Sequence, residues 1–294
     1  MTALARRTEP DPPPVRELLR SFLHLAPSWT AAEHALARKI LQRLSPSDFL
    51  GLIRQDPAIL MEIAGMPADP WQRRLLGSHA LQSLLLCCRQ AGKSTVTAAL
   101  ALRVALLEAP ALILLLSPTQ RQSGELFRDK VMRLYDAVGR PVPSVQESAL
   151  TVALANGSRI VSLPGDEKTI RGYSGVSLLV VDEAARVDDA LYFAIRPMLA
   201  VSRGRMVCLS TPFGKRGWFF EAWTGQEPWE RYRIVAEECP RIPRDFLAEE
   251  RRTLGPRWYA QEYQCSFEDT IDQVFSHEDI MAALSADLQP LVLE

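Results

Sequence analysis

The chain has 294 residues, 47% of them hydrophobic and 23% charged, with a formal net charge of −1. That length suits one large α/β domain with small appendages, and the near-neutral charge excludes the whole-chain basic signature of many nucleic-acid binders. Five cysteines without CxxC spacing and four scattered histidines argue against a disulfide framework or a zinc cluster, and fit a reducing cytoplasm. No apolar run approaches the ~18 residues needed to span a membrane, and the N-terminus lacks a signal-peptide core.

Residues 1–14, with Pro10, Pro12, Pro13 and Pro14, read as a disordered tail. Residues 15–66 read as a helical segment. Leu18, Leu19, Phe22 and Leu25 recur at helical spacing, as do Leu36, Ile40, Leu41 and Leu44, and Ser47-Asp48 make a helix start before Phe49. Pro67-Ala68-Asp69-Pro70 brackets a turn, after which Trp71 and Gln72 open a short helix. Gln72, just ahead of the first strand, is placed to read an adenine edge with its amide; simple surface solvation is the alternative.

The organising stretch is Ser83-Leu84-Leu85-Leu86-Cys87-Cys88-Arg89-Gln90-Ala91-Gly92-Lys93-Ser94-Thr95. An apolar strand runs through a small-residue turn into an alanine-rich helix, the context that a phosphate loop requires. Backbone N–H groups at the helix start would cradle phosphates, Lys93 would reach the β/γ-phosphates, and the Ser94 hydroxyl would bind Mg²⁺. The usual first glycine, five residues before Gly92, is Cys87 here.

Further on, Ala111–Leu116 reads as a buried strand ending at Ser117-Pro118-Thr119, and Gln120–Tyr135 as a helix with Leu126, Val131 and Leu134 on its apolar face. Ala149–Leu154 and Arg159–Leu163 flank Asn156-Gly157, a hairpin signal. The loop Arg171-Gly172-Tyr173-Ser174-Gly175 leads into Val176–Val181, a strand that delivers Asp182 and Glu183. Met206–Leu209 is another buried strand, stopping at Ser210-Thr211-Pro212. Strands alternating with helices give an α/β fold with a central mostly parallel sheet flanked by helices, and the stretch at 83–95 makes it a P-loop NTPase. Its ligand belongs at the carboxyl ends of the strands, where the phosphate loop, Ser117, Asp182, Glu183 and Thr211 all fall.

Asp182 would then sit beside a nucleotide-bound Mg²⁺, and Glu183 would orient and deprotonate an attacking water. An acidic pair at a helix start is the bland alternative. Thr211 is placed to sense a γ-phosphate, or else merely caps a strand. Arg89 and Arg171 are the arginines placed to stabilise charge on a transferring phosphoryl group. Lys215, Arg216, Trp218, Phe219, Phe220 and Trp223 alternate cations with rings, a pattern favouring packing against the sheet over a nucleic-acid platform. Residues 231–257 read as a small helical subdomain.

Taken together, these motifs resemble the large terminase subunits of tailed bacteriophages, from about Asp56 to Ile280. They are Asp-Pro-Trp-Gln at 69–72, Cys-Arg-Gln-Ala-Gly-Lys-Ser-Thr at 88–95, Asn-Gly-Ser-Arg-Ile at 156–160 and Ile-Arg-Gly-Tyr-Ser-Gly at 170–175. Asp-Glu-Ala-Ala at 182–185, Ser-Thr-Pro-Phe-Gly-Lys-Arg-Gly at 210–217 and Gln-Glu-Tyr-Gln-Cys-Ser-Phe at 261–267 complete the series. The resemblance implies an additional-strand, catalytic-glutamate ATPase core over residues 67–216 and a small lid or linker subdomain over 217–294. It implies Gln72 at the adenine and Arg89, Gln90, Ala91, Gly92, Lys93, Ser94 and Thr95 at the phosphates. Asp182 and Ser94 would be at Mg²⁺, Glu183 would be the catalytic base, and Arg171 a loop arginine acting across a subunit ring. Ser210 and Thr211 would couple hydrolysis to movement.

The expected activity is ATP-driven translocation of double-stranded DNA into a procapsid. It would be carried out in the host cytoplasm by a homo-oligomeric ring with a portal protein and a small terminase subunit as partners. Family members usually continue into a ribonuclease H-like nuclease; this chain stops at Glu294, as a motor-only form or as a truncated piece, and nuclease activity is not expected from these residues. A helicase-like ATPase and a nucleotide-bound assembly protein without turnover are the rival readings.

Overall fold

The computed structural model describes residues 44–165, 170, 172–269 and 277–284. The tail at 1–14 and most of the N-terminal helical segment therefore lie outside the described residues. The segment's remainder is helical as expected. Helix α1 spans Pro46–Gln55 and α2 spans Ile59–Ile63. The cap of α1 is Ser45 rather than Ser47-Asp48: its hydroxyl accepts the Asp48 N–H, and Pro46 occupies the first turn, where no N–H is needed. Helix α3, Pro70–Gly77, follows a capping box in which Asp69 and Gln72 satisfy each other's backbone.

Eight strands form one sheet: β1 Gln82–Cys87, β2 Leu112–Ser117, β3 Ser144–Glu147, β4 Thr151–Leu154, β5 Arg159–Pro164, β6 Leu178–Asp182, β7 Arg205–Ser210 and β8 Glu230–Ile234. Their order across the sheet is β3-β4-β5-β2-β6-β7-β1-β8. From β5 to β8 the neighbours run parallel, and β3 and β4 add an antiparallel margin. The parallel strands are continuous apolar runs because both faces are covered: Leu84, Leu85, Leu114, Leu115, Leu179, Val180, Val207 and Leu209 have no exposed surface. Each such side chain contributes roughly 1.5–3 kcal/mol by leaving water.

The Asn156-Gly157 hairpin forms as expected between β4 and β5. Gly157 takes φ +85°, a conformation open to a residue without Cβ. Helix α4, Lys93–Leu107, follows the turn read as a phosphate loop, and every residue from Val96 to Leu106 is buried. A helix apolar nearly all round belongs in the interior, and α4 packs against α1, α2 and α3 as well as the sheet.

Three features depart from the sequence reading. The helix expected over 120–135 is α5, Gln120–Leu126, then a π-helical turn over Phe127–Met132, then α6, Arg133–Ala137. Strand β3 was not foreseen. Residues 231–257 are not wholly helical: Glu230–Ile234 is β8, paired in parallel with β1, and only Arg244–Gln264 forms helix α9, broken at Gly255-Pro256. The alternation Arg231, Tyr232, Arg233, Ile234 buries its apolar members, leaves Arg233 exposed and sets the half-buried Arg231 against backbone carbonyls from Ala222 to Trp229.

The aromatic segment packs as favoured. In helix α8, Gly217–Thr224, Trp218 is buried, stacks on Tyr192 of α7 (Asp189–Ile195) at 4.0 Å, and donates its indole N–H to the Val187 carbonyl. Phe220 instead meets Phe267 edge-on. Among the described residues no helix is long and apolar enough to cross a membrane.

Candidate functional site

The carboxyl ends of β1, β2, β6, β7 and β8 open onto one cleft of about 660 Å³, where ligands of open parallel sheets bind. Its floor is the turn Cys88–Gly92. Gln90 and Gly92 both adopt left-handed backbone, with φ of +61° and +90°. A side chain is costly there, and at Gly92 it would also collide: a Cβ would stand 2.7 Å from Gln72 Nε2. The turn therefore presents the backbone N–H groups that open α4, the positive end of a 15-residue helix.

This turn is held from behind by distant chain. The Cys88 N–H donates to the Ile234 carbonyl at 2.9 Å, and the Arg89 N–H to the Glu262 carbonyl at 3.0 Å. Arg89 also pairs through Nε with the Glu262 carboxylate, which holds its guanidinium charge firmly. Arg241 grips both oxygens of Asp69, at 2.7 and 2.6 Å, and donates to the Ala91 carbonyl at 3.1 Å. Gln72 is buried: its carbonyl accepts the Asp69 N–H at 2.9 Å and its amide points to the Gly92 carbonyl at 3.4 Å. In this arrangement Gln72 braces the loop and is not among the residues lining the cleft. Behind the turn the Cys88 and Cys239 sulfurs lie 3.8 Å apart, and all five cysteines are buried and unbridged.

The opposite wall is acidic. Strand β6 ends at Asp182, and Glu183 follows in left-handed backbone at φ +51°, its N–H turned onto Asp182 Oδ1 at 3.0 Å. That turn swings the Glu183 side chain across β7 toward β1, and its carboxylate reaches Lys93 Nζ at 3.7 Å. Ser210, at the tip of the intervening β7, points its hydroxyl at the other Glu183 oxygen at 3.5 Å. Thr211 lines the cleft beside it. Lysine and carboxylate could have stood on opposite edges of the sheet; instead they face each other across one strand.

Burial pushes the Asp182 carboxyl up to about 6, the neighbouring Glu183 charge adds to this, and Lys93 partly opposes it. This desolvated carboxylate, one oxygen already bonded, and the Ser94 hydroxyl in the first turn of α4 are oxygen donors of the kind Mg²⁺ takes. Around the cleft Arg89, Lys93, Lys130, Arg186 and Arg241 outweigh the single lining carboxylate Glu183 among the described residues, a balance suited to a polyanion.

With this geometry in place, the likeness to known proteins becomes decisive. Residues 84–281 match the family model for the terminase large subunit, T4likevirus-type, N-terminal. The chain belongs to this terminase large-subunit family. Its fold is that of the large terminase ATPase domain of Thermus phage P74-26, with a TM-score of 0.62 at 21% identity over 77% of this chain and 100% of that one. The large terminase of another thermophilic bacteriophage, in complex with ADP, superposes with a TM-score of 0.56 at 12% identity over 68% of this chain. This chain spans 54% of that protein's length, and the same protein is also seen in complex with ATP-gamma-S. No curated protein matches the chain. Membership in the terminase family assigns the chain a part in phage DNA packaging.

Of the residues expected in the terminase site, Arg89, Gln90, Ala91, Gly92, Lys93, Ser94, Thr95, Glu183 and Thr211 line the cleft. Asp182 and Ser210 stand directly behind Glu183. Arg171 lies outside the described residues. Sequence reasoning missed Lys130, Arg186, Arg241 and Glu262. Glu262 lies inside the motif at 261–267, a signal that was available. Arg186, four residues past Asp182, is laid over the Phe213 ring at 4.3 Å. Lys130 enters from the π-helical turn and Arg241 from the chain after β8, neither with a local signature.

Proposed function

We propose that this chain is the ATP-hydrolysing motor part of a terminase, turning nucleotide hydrolysis into translocation of double-stranded DNA into a procapsid. One observation carries the reading: Glu183 and Lys93 face each other at 3.7 Å above a helix start built to hold phosphate. Lys93 would leave this ion pair for the β/γ-phosphates, freeing Glu183 to accept the proton of a water attacking the γ-phosphate. Asp182 and Ser94 would hold Mg²⁺, which when bound supplies charge neutralisation on the phosphate oxygens. Arg89 would lie along the phosphates while Glu262 fixes its orientation. Ser210, hydrogen-bonded to Glu183, would report the state of that carboxylate to β7, with Thr211 beside the γ-phosphate. Gln72 would act chiefly as a brace for Gly92 and would meet adenine only after a rearrangement.

Arg171 is the proposed trans-acting arginine, within a homo-oligomeric ring that engages the portal protein and the small terminase subunit. In this reading residues 67–216 form the core and 217–294 the lid and linker, with β8 stitching the latter onto the core sheet. Nuclease activity is not assigned to these residues. The decisive test is steady-state ATP hydrolysis by the wild type and by Glu183→Ala. A rate loss of at least ~100-fold is expected, in line with general-base contributions. Unchanged turnover would sink the mechanism and favour an assembly protein that binds nucleotide without hydrolysing it.

A further inference from the structure

Among the described residues lining the cleft, Arg241 is the cation whose guanidinium is tied into the phosphate-loop backbone. It comes from the segment between β8 and α9, far from the loop in sequence. Its Nη1 and Nη2 meet the two Asp69 oxygens, and the second Nη2 proton goes to the Ala91 carbonyl. Asp69 is 7% exposed, so its charge needs this partner. A guanidinium has five N–H donors in a rigid fork, and these bonds use three. One Nη1–H and the Nε–H remain, on a side chain that is 46% exposed and lines the cleft. The loop fits tightly against this group: a Cβ on Gly92 would lie 3.3 Å from Arg241 Nη2.

We propose that Arg241 is a positioning residue for nucleotide binding. It fixes the Ala91–Gly92 peptides in the left-handed turn that aims N–H groups at the phosphates, and its spare donors face the bound nucleotide. The inference rests on the ATPase reading above and adds a residue to its binding half. Because Asp69 and Ala91 compete for no donor, nucleotide can add its own bond without breaking the brace. The Asp69–Arg241 pair also joins the helix before β1 to the chain after β8, so loop geometry depends on both.

The test uses the full chain, with ATP turnover, binding of a fluorescent ATP analogue and thermal unfolding measured side by side. Arg241→Ala is expected to raise KM for ATP and weaken analogue binding about tenfold, with kcat within about threefold, the signature of lost binding rather than lost chemistry. Arg241→Lys, which keeps the charge but cannot span Asp69 and Ala91 together, should fall between. A folded Arg241→Ala protein with unchanged KM and analogue affinity overturns the proposal, even if its melting temperature drops. Should that variant not fold, Asp69→Asn must show the same KM-selective effect, and an unchanged KM there also overturns it. A wild type that neither binds the analogue nor hydrolyses ATP would instead sink the ATPase reading itself. Activity lost in Lys93→Ala but unaltered in Arg241→Ala sinks only the role of Arg241.

Discussion

The two walls of the cleft are built by opposite means. The phosphate-loop wall is a backbone turn locked by long-range bonds from Ile234, Arg241 and Glu262. The acidic wall is a strand tip whose proposed catalytic carboxylate, Glu183, stands on one left-handed residue, held loosely by Lys93 at 3.7 Å and Ser210 at 3.5 Å. One side is preorganised and the other is poised to change partners. Rigid donors suit a ligand charge that is present throughout, whereas a proton acceptor has to move during a cycle.

This contrast breaks most sharply at Lys93, the residue both walls share. Lys93→Ala should abolish nucleotide binding or turnover, read by analogue fluorescence and phosphate release; ATP affinity and rate at wild-type levels would remove the phosphate-loop assignment. On the acidic wall, pH provides the next probe. Asp182 is raised from an ordinary carboxylate value to about 6. Folding therefore favours its protonated form. This group's contribution to stability is full below pH ~4 and is lost as pH rises through ~6. The proposed Mg²⁺ site would need the ionised form, so Mg²⁺-dependent nucleotide affinity should fall up to about tenfold per pH unit below 6. Asp182→Asn should bind weakly at all pH values and flatten that profile; a wild-type profile in this variant would refute the assignment. The mildest change is Glu262→Gln, which keeps the backbone bond to Arg89 while removing the charge that orients its guanidinium. A several-fold rise in KM with an unaltered pH profile is expected, since ion-pair partners at half-exposed sites contribute about 1 kcal/mol.

Much of this was legible in the sequence because its signals are local. The apolar run into Cys88–Gly92, the run into Asp182-Glu183 and the one into Ser210-Thr211 each carry their own punctuation, and the sheet brings their tips together as the topology of such folds requires. The Asn156-Gly157 turn is equally local. Strand β8 was hidden because its arginines resemble those of a charged helix, while the partner that makes it a strand, β1, lies about 147 residues away. Strand β3 is an exposed margin with little apolar signal. The π-helical turn carries no composition cue, though such turns cluster at functional sites and this one delivers Lys130 to the cleft. Arg241 escaped notice because its partners, Asp69 and Ala91, lie 172 and 150 positions earlier.

The sulfur pair behind the phosphate loop has a practical consequence. Cys88 and Cys239 sit on the two pieces of chain that clasp each other there, and every thiol in the molecule is shielded from solvent. An alkylating reagent reaches Cys88 and Cys239 when that clasp parts. Its reaction rate, with and without nucleotide, would thus clock the breathing of the loop's rear wall in the unmodified protein.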